Sequence, residues 1–186
     1  MFIWLCLNNC EDVFNTSVFF PNLTNILAIM KSNDMANTYT QLHHQFVFAT
    51  KFREHSIHPA WKEQLHKFIT AVVQNRDHKM IQVNTMPDHL HMLIGMRPKQ
   101  SISSLIQTVK SESSKWVKEK GFTSRFAWQE GFGAFSYAKK DIGNLILYIQ
   151  NQEERHRKIN FRDEYIIMLN EAGIEYEEKY LFHDPI

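Results

Sequence analysis

The sequence predicts an α+β fold, an antiparallel sheet with helices on one face. Two observations predict it. Apolar residues alternate with period two in several short runs, as strands require, and recur with period 3.6 in the longer stretches between, as helices require. The order is strand, helix, strand, strand, helix, strand, which is the split βαβ or ferredoxin-like pattern. Further helices follow at the C-terminal end.

The elements follow in chain order. Tyr39–Thr50 sets Leu42, His44, Phe46 and Phe48 against Gln41, His43, Gln45 and Val47, which is strand alternation. His43 and His44 are adjacent, so they face opposite ways and read as structural. Pro59 suits the first position of a helix. Trp61, Leu65, Phe68, Ile69, Val72 and Val73 form its stripe, to about Arg76. Ile81–Met96 has strand composition broken by Pro87-Asp88, hence two strands joined by a turn. Ser101 caps a second helix with stripe residues Ile102, Leu105, Ile106, Val109 and Trp116, and Gly121 ends it. The loop 121–133 carries Phe122, Phe126, Trp128 and Phe132, which either plug a core or stack on bases. Ala134–Ala138 is a last short strand. A third helix is expected from about Lys139 to His156, and a fourth apolar-faced segment over Asp163–Ala172.

The chain has 186 residues, enough for one domain with a core. Cys6 and Cys10 alone give no disulfide framework, consistent with a reducing, cytoplasmic setting. No apolar run reaches the roughly 20 residues of a membrane span, and the N-terminus lacks the basic start of a signal peptide. Residues 1–34 show no clear periodicity, whereas Met35 runs straight into a strand. They read as an extension upstream of the true start, with a genuine accessory segment the alternative, beside a single domain over 35–186. Charge is uneven. Residues 51–120 hold 12 Lys/Arg against 6 Asp/Glu, and 164–186 hold 6 acids against one Lys. A basic middle suits an anionic partner.

His89-Leu90-His91 is the central feature of the candidate site. Alternate strand residues share a face, with Cα atoms roughly 6.5–7 Å apart. Two imidazoles at that spacing can converge on one metal ion at about 2.0–2.1 Å each; two structural histidines are the other reading. In the third helix Ile142, Leu145, Ile146 and Ile149 make the stripe. Tyr148 and Gln152 lie one turn apart on its flank, where a phenol and an amide can supply a nucleophile and a further ligand. A packed Tyr beside a solvated Gln is the alternative. On the second helix Thr108, Lys110, Ser111, Ser114, Lys115 and Lys118 form a polar face suited either to phosphate contacts or to plain solvation.

Four motifs in order give the chain from Tyr39 to about His156 a resemblance to a family. They are Met86-Pro-Asp-His-Leu-His-Met-Leu-Ile94, Ser101–Lys110 with Ser113-Ser-Lys-Trp116, Trp128–Ser136, and Tyr148-Ile-Gln-Asn-Gln152. This stretch resembles the HUH single-tyrosine transposases, which include the enzymes of the smallest bacterial insertion sequences and the REP-associated tyrosine transposases. The resemblance implies that His89, His91 and Gln152 hold a divalent ion, Mg²⁺ or Mn²⁺, and that Tyr148 is the nucleophile. It implies single-stranded hairpin DNA as substrate, a 5′-phosphotyrosine intermediate, and a homodimer in which the tyrosine helix completes the partner's site. Tyr137 is the rival nucleophile but has no Gln four residues on. No residue identifies itself as the base. A domesticated relative that only binds repeat hairpins, and a phosphodiesterase releasing free ends, are the competing readings.

Overall fold

The computed structural model describes residues 38–177, 179 and 181. The 1–34 extension and the Met35 start lie outside the described residues. Four strands, β1 (Leu42–Ala49), β2 (Lys79–Thr85), β3 (His89–Met96) and β4 (Gly133–Tyr137), form one sheet in the order β2-β3-β1-β4. Every neighbouring pair is antiparallel. With α1 (Pro59–Gln74) between β1 and β2, and α2 (Ile102–Glu119) between β3 and β4, this is the split βαβ arrangement expected from the pattern.

Local chemistry sets the ends of these elements. Pro59 stands at the start of α1, and the His58 side chain accepts from Ala60 N. Ser101 Oγ accepts from Ser104 N to open α2. Gly121, at φ 71°, closes α2: its N–H reaches Lys118 O and that of Phe122 reaches Val117 O. That pair of bonds satisfies orphan carbonyls and needs a left-handed residue between them.

One face of the sheet packs on α1 and α2. Phe46, Phe48, Leu90, Met92 and Ile94 meet Leu65, Ile69, Val73, Leu105, Ile106 and Val109 in an apolar core. The aromatics of the 121–133 loop complete it. Phe126 and Trp128 are buried, Phe122 stacks on Trp61, and Trp128 Nε1 donates to Ser113 Oγ at 2.8 Å. Core filling therefore claims the rings that sequence alone left open for base stacking.

The opposite face, expected to be open, is covered. Val47, Ala49, Leu93 and Phe135 all point there, and this apolar surface must be taken out of water. α3 (Ile142–Gln150) lays Leu145 and Ile149 on Leu93 of β3. α5 (Phe161–Glu171) lays Phe161, Met168 and Leu169 near β1 and β4. The single helix expected over 139–156 is broken. A 3₁₀ turn (Lys139–Asp141) precedes α3, and α3 stops before Asn151, whose φ −91° and ψ 22° leave the helix. A short α4 (Gln152–His156) follows, and Asn160 caps α5 by accepting from Asp163 N. Gly133 of β4 sits directly under α5: a Cβ there would lie 2.7 Å from the Tyr165 hydroxyl.

Candidate active site

His89 and His91 project from β3 onto the α3/α5 face, as strand alternation requires. Their rings lie 5.2 Å apart and both are almost wholly buried. Each Nδ1 has a partner. His89 Nδ1 meets Asp88 Oδ1 at 2.7 Å, and Asp88 is held in turn by Arg53 through Nε at 3.2 Å and Nη2 at 2.9 Å. Arg53 and its neighbour Phe52 both have left-handed backbone, at φ 53° and 57°. That conformation is costly for non-glycine residues, and it turns the guanidinium toward Asp88. His91 Nδ1 faces the Gln45 amide at 3.1 Å, and Gln45 Oε1 accepts from Tyr137 at 3.0 Å. Tyr137, the rival nucleophile, is thus tied to the support of His91.

Burial pushes His89 down to about 4, against the opposing pull of Asp88, so its ring is neutral at pH 7. Burial alone would raise the Asp88 carboxyl. The hydrogen bonds and charges of His89 and Arg53 outweigh it and hold that carboxyl well below its ordinary range.

Tyr148 and Gln152 come together with the histidines, but through a group that sequence reasoning missed. Glu164 of α5 is fully buried beside them. The Tyr148 hydroxyl donates to Glu164 Oε1, Gln152 Nε2 donates to the same oxygen at 3.2 Å, and Arg155 Nε does so at 3.0 Å. Glu164 Oε2 faces His156 Nε2 at 3.0 Å and His91 Nε2 at 3.7 Å. Burial would raise this carboxyl too, but the groups around it, His156 and His91 foremost, hold it well below the usual range. Burial first, then the Glu164 charge, pushes the Tyr148 phenol well above 10. The ring of Tyr148 lies 6.0 Å from that of His91, and the Arg155 guanidinium sits over the Tyr148 ring at 4.7 Å from its centroid. Phe161 stacks on His89 at 3.9 Å.

All of these groups belong to one chain: α3 carries Tyr148 onto its own His pair. Tyr148 also borders an open groove of about 670 Å³ with Asn144, Leu147, Asn151, Arg155 and Lys158.

The structure separates the residues of the polar α2 face. Lys110 Nζ donates to the carbonyls of Gln129, at 2.8 Å, and Gly131, and sits over the Phe48 ring at 4.7 Å. Burial lowers it to about 8. It pins the 127–132 loop. Ser111 and Ser114 share with it a groove of about 460 Å³. Lys115 and Lys118 are exposed, the former 3.7 Å from Glu119.

A buried divalent ion fits this chemistry. His89 Nε2 and Gln152 Oε1 are buried without a hydrogen-bond partner, an arrangement costly for polar atoms unless something else satisfies them. They adjoin His91 Nε2, His156 Nε2 and Glu164 Oε2, which have only one another, at 3.7 and 3.0 Å from the carboxylate oxygen. Signals for the missed residues did exist. Asp88 adjoins His89. His156 follows Gln152 by one turn. Glu164 is an acid on the apolar stripe of Phe161, Tyr165 and Met168, where a carboxylate has no reason to be unless it is paired.

Residues 38–152 match the family described as "Transposase IS200 like". The chain belongs to this family. It is 22% identical over 129 residues to the transposase for insertion sequence element IS200 of Salmonella typhimurium, an alignment covering 66% of this chain and 84% of that one. It is 20% identical over 122 residues to the ISDra2 transposase TnpA of Deinococcus radiodurans, covering 62% and 86%. The solved structure of a REP-associated tyrosine transposase bound to a REP hairpin shares its fold, with a TM-score of 0.51 at 17% identity over 66% of this chain and 73% of that one. These are DNA transposases, and the match to an IS200-like transposase ends at Gln152, short of His156 and Glu164. No helix among the described residues is long and apolar enough to cross a membrane.

Proposed function

We propose that this IS200-like transposase cleaves and rejoins single-stranded DNA through a 5′-phosphotyrosine at Tyr148. One observation carries the reading: the Tyr148 phenol shares a buried cluster with His89 and His91 within one chain. The hairpin bound by the structural relative supports a hairpin-bearing single strand as the substrate.

His89 and His91 would hold a divalent ion through their Nε2 atoms, with Gln152 Oε1 a further donor expected from the family. Such an ion supplies Lewis-acid polarisation of a non-bridging phosphate oxygen. Asp88 and Arg53 keep the His89 Nδ1 proton in place and its Nε2 lone pair free. Tyr148 attacks the phosphorus. Its O–P bond forms as the bond to the 3′ oxygen breaks, which leaves a free 3′-OH and a covalent 5′ end. Glu164 Oε1, which already accepts the phenol O–H, passes that proton on to the departing 3′ oxygen, because a carboxyl held so far below its usual range does not keep it. The phenol is held neutral in the resting site, so its ionisation accompanies attack instead of preceding it. The groove beside Tyr148, with Arg155 and Lys158 on its walls, offers a single strand a place to lie against the phenol. The covalent bond conserves the phosphodiester energy, so rejoining needs no nucleotide cofactor.

Incubation with a hairpin-bearing single strand and Mg²⁺ or Mn²⁺ should give a protein–DNA adduct that survives denaturing gels and maps to Tyr148. Tyr148→Phe should bind the same DNA and give none. Mixing Tyr148→Phe with His89→Ala should restore no cleavage where each chain attacks with its own tyrosine, and restored cleavage would show a dimer sharing its sites. An adduct at Tyr137, or an active Phe variant, would overturn the assignment.

A further inference from the structure

We infer that the metal centre is built from four side chains, His89, His91, His156 and Glu164, and that it selects a first-row transition ion over Mg²⁺. The inference rests on the reading that the His pair holds the ion and adds two donors from α4 and α5. The ligand atoms of these four residues all lie within 4.8 Å of one another. Four donors around one ion at about 2.0–2.2 Å would stand roughly 3.4 Å apart. Side-chain shifts of about an ångström would close the set, within the reach of ordinary rotamer adjustment.

The outer partners prepare the donors. A metal-binding imidazole presents one nitrogen to the ion and gives its other N–H to an acceptor. His89 has Asp88 as that acceptor. His156 Nδ1 faces the Ile159 carbonyl at 3.1 Å, which can only accept, so Nδ1 carries a proton and Nε2 is the nitrogen left to face an ion. Gln45 presents its amide nitrogen to His91 Nδ1 and its oxygen to the Tyr137 hydroxyl, so ion binding at His91 Nε2 requires this amide to turn over and accept the Nδ1–H. Glu164 divides its two oxygens between tasks: Oε2 faces the histidines, while Oε1 collects Tyr148, Gln152 and Arg155. Gln152 puts its amide nitrogen on Glu164 Oε1 and so also steadies the carboxylate, while its own Oε1 stays buried beside the set.

Three imidazoles and one carboxylate form a nitrogen-rich set. Mg²⁺ demands oxygen donors and keeps its waters, whereas imidazole suits Zn²⁺, Co²⁺ and Mn²⁺. The centre also joins β3 to α4 and α5, so ion binding fastens the C-terminal helices to the sheet.

Full-length protein, stripped with chelator, should be titrated calorimetrically with Co²⁺, Zn²⁺, Mn²⁺ and Mg²⁺, with Co²⁺ absorption and melting temperature recorded alongside. One Co²⁺ or Zn²⁺ should bind per chain and raise the melting temperature at concentrations where Mg²⁺ does neither. His156→Ala and Glu164→Gln should each weaken Co²⁺ binding by at least about tenfold and change its visible spectrum. Circular dichroism reports the fold, and His156→Gln serves if the alanine variant loses it. Binding and spectrum unchanged in His156 and Glu164 variants but abolished in His89→Ala would overturn the four-donor centre and leave the His pair as the ion's holder. Absence of Co²⁺ and Zn²⁺ binding to the wild type would overturn it as well, and adduct formation with Mg²⁺ or Mn²⁺ would then keep the cleavage reading standing.

Discussion

The two faces of the sheet use the same strands for opposite ends. Toward α1 and α2, β1 and β3 present Phe46, Phe48, Leu90, Met92 and Ile94, a dry core with few polar atoms. Toward α3 and α5 they present Gln45, His89, His91 and Leu93, with Gln152 and Glu164 buried against them. Alternation makes this division unavoidable: each strand residue serves one face, so apolar packing on one side holds the histidines rigid on the other. Stability and chemistry thus have separate addresses, one residue apart.

Phe46→Ala should make the largest difference. This side chain is wholly buried on the core face, and its loss should cost about 3–5 kcal/mol, read from denaturant midpoints. His91→Ala, whose Val47 partner is Phe46's neighbour on the opposite face, should abolish adduct formation at a smaller stability cost. Equal destabilisation by both would break the division of labour.

Acid sharpens the comparison. His66, on α1 and bonded to Thr85 Oγ1 at 2.9 Å, and His89 are both lowered by burial from 6.5 to about 4. Each binds its proton more readily in the unfolded chain. Metal-free protein should therefore lose stability as pH falls from about 6.5 toward about 4, by at most about 3 kcal/mol per ring. Asp88 and Glu164 act in a lower window: their depressed carboxyls contribute above their ordinary values of 3.8 and 4.5, and that contribution is lost as pH falls below these. Melting temperatures from pH 7 to about 2 check both windows. His66→Gln and His89→Gln should each flatten the upper part of the curve, and a flat wild-type curve would contradict it.

The smallest effects belong to the α2 surface. Lys110→Met removes two carbonyl contacts and should cost about 1–2 kcal/mol. Lys115→Ala and Lys118→Ala should stay within about 0.5 kcal/mol. If they touch phosphates, each should lower the salt slope of single-strand binding by about 0.7, while a slope unchanged in both would assign that surface to solvent alone.

Much of the architecture was legible in the chain. Period-two alternation located β1, strand composition located β2 and β3, and the Pro87-Asp88 break and the Ser101 and Gly121 signals set boundaries close to those observed. The His pair sharing one face followed from the pleat. What escaped was nonlocal. The break at Asn151 has no proline or glycine to announce it. Covering of the histidine face depends on Val47, Ala49, Leu93 and Phe135 together, which no single strand reveals. Glu164 lies 73 residues beyond His91, and only tertiary packing makes them neighbours.

Gly133 shows how much of the site hangs on a distant absence. Tyr165 approaches β4 so closely that a single methyl at position 133 would overlap its hydroxyl, with Phe135 blocking the other side. Glu164 is the adjacent residue on α5, so the seat of the carboxylate is set by how near that helix rides to the strand. Position 133 therefore acts as a spacer: each atom added there lifts the acid away from phenol and imidazoles while every site residue stays chemically intact. The reach of the helix is written in a hydrogen atom.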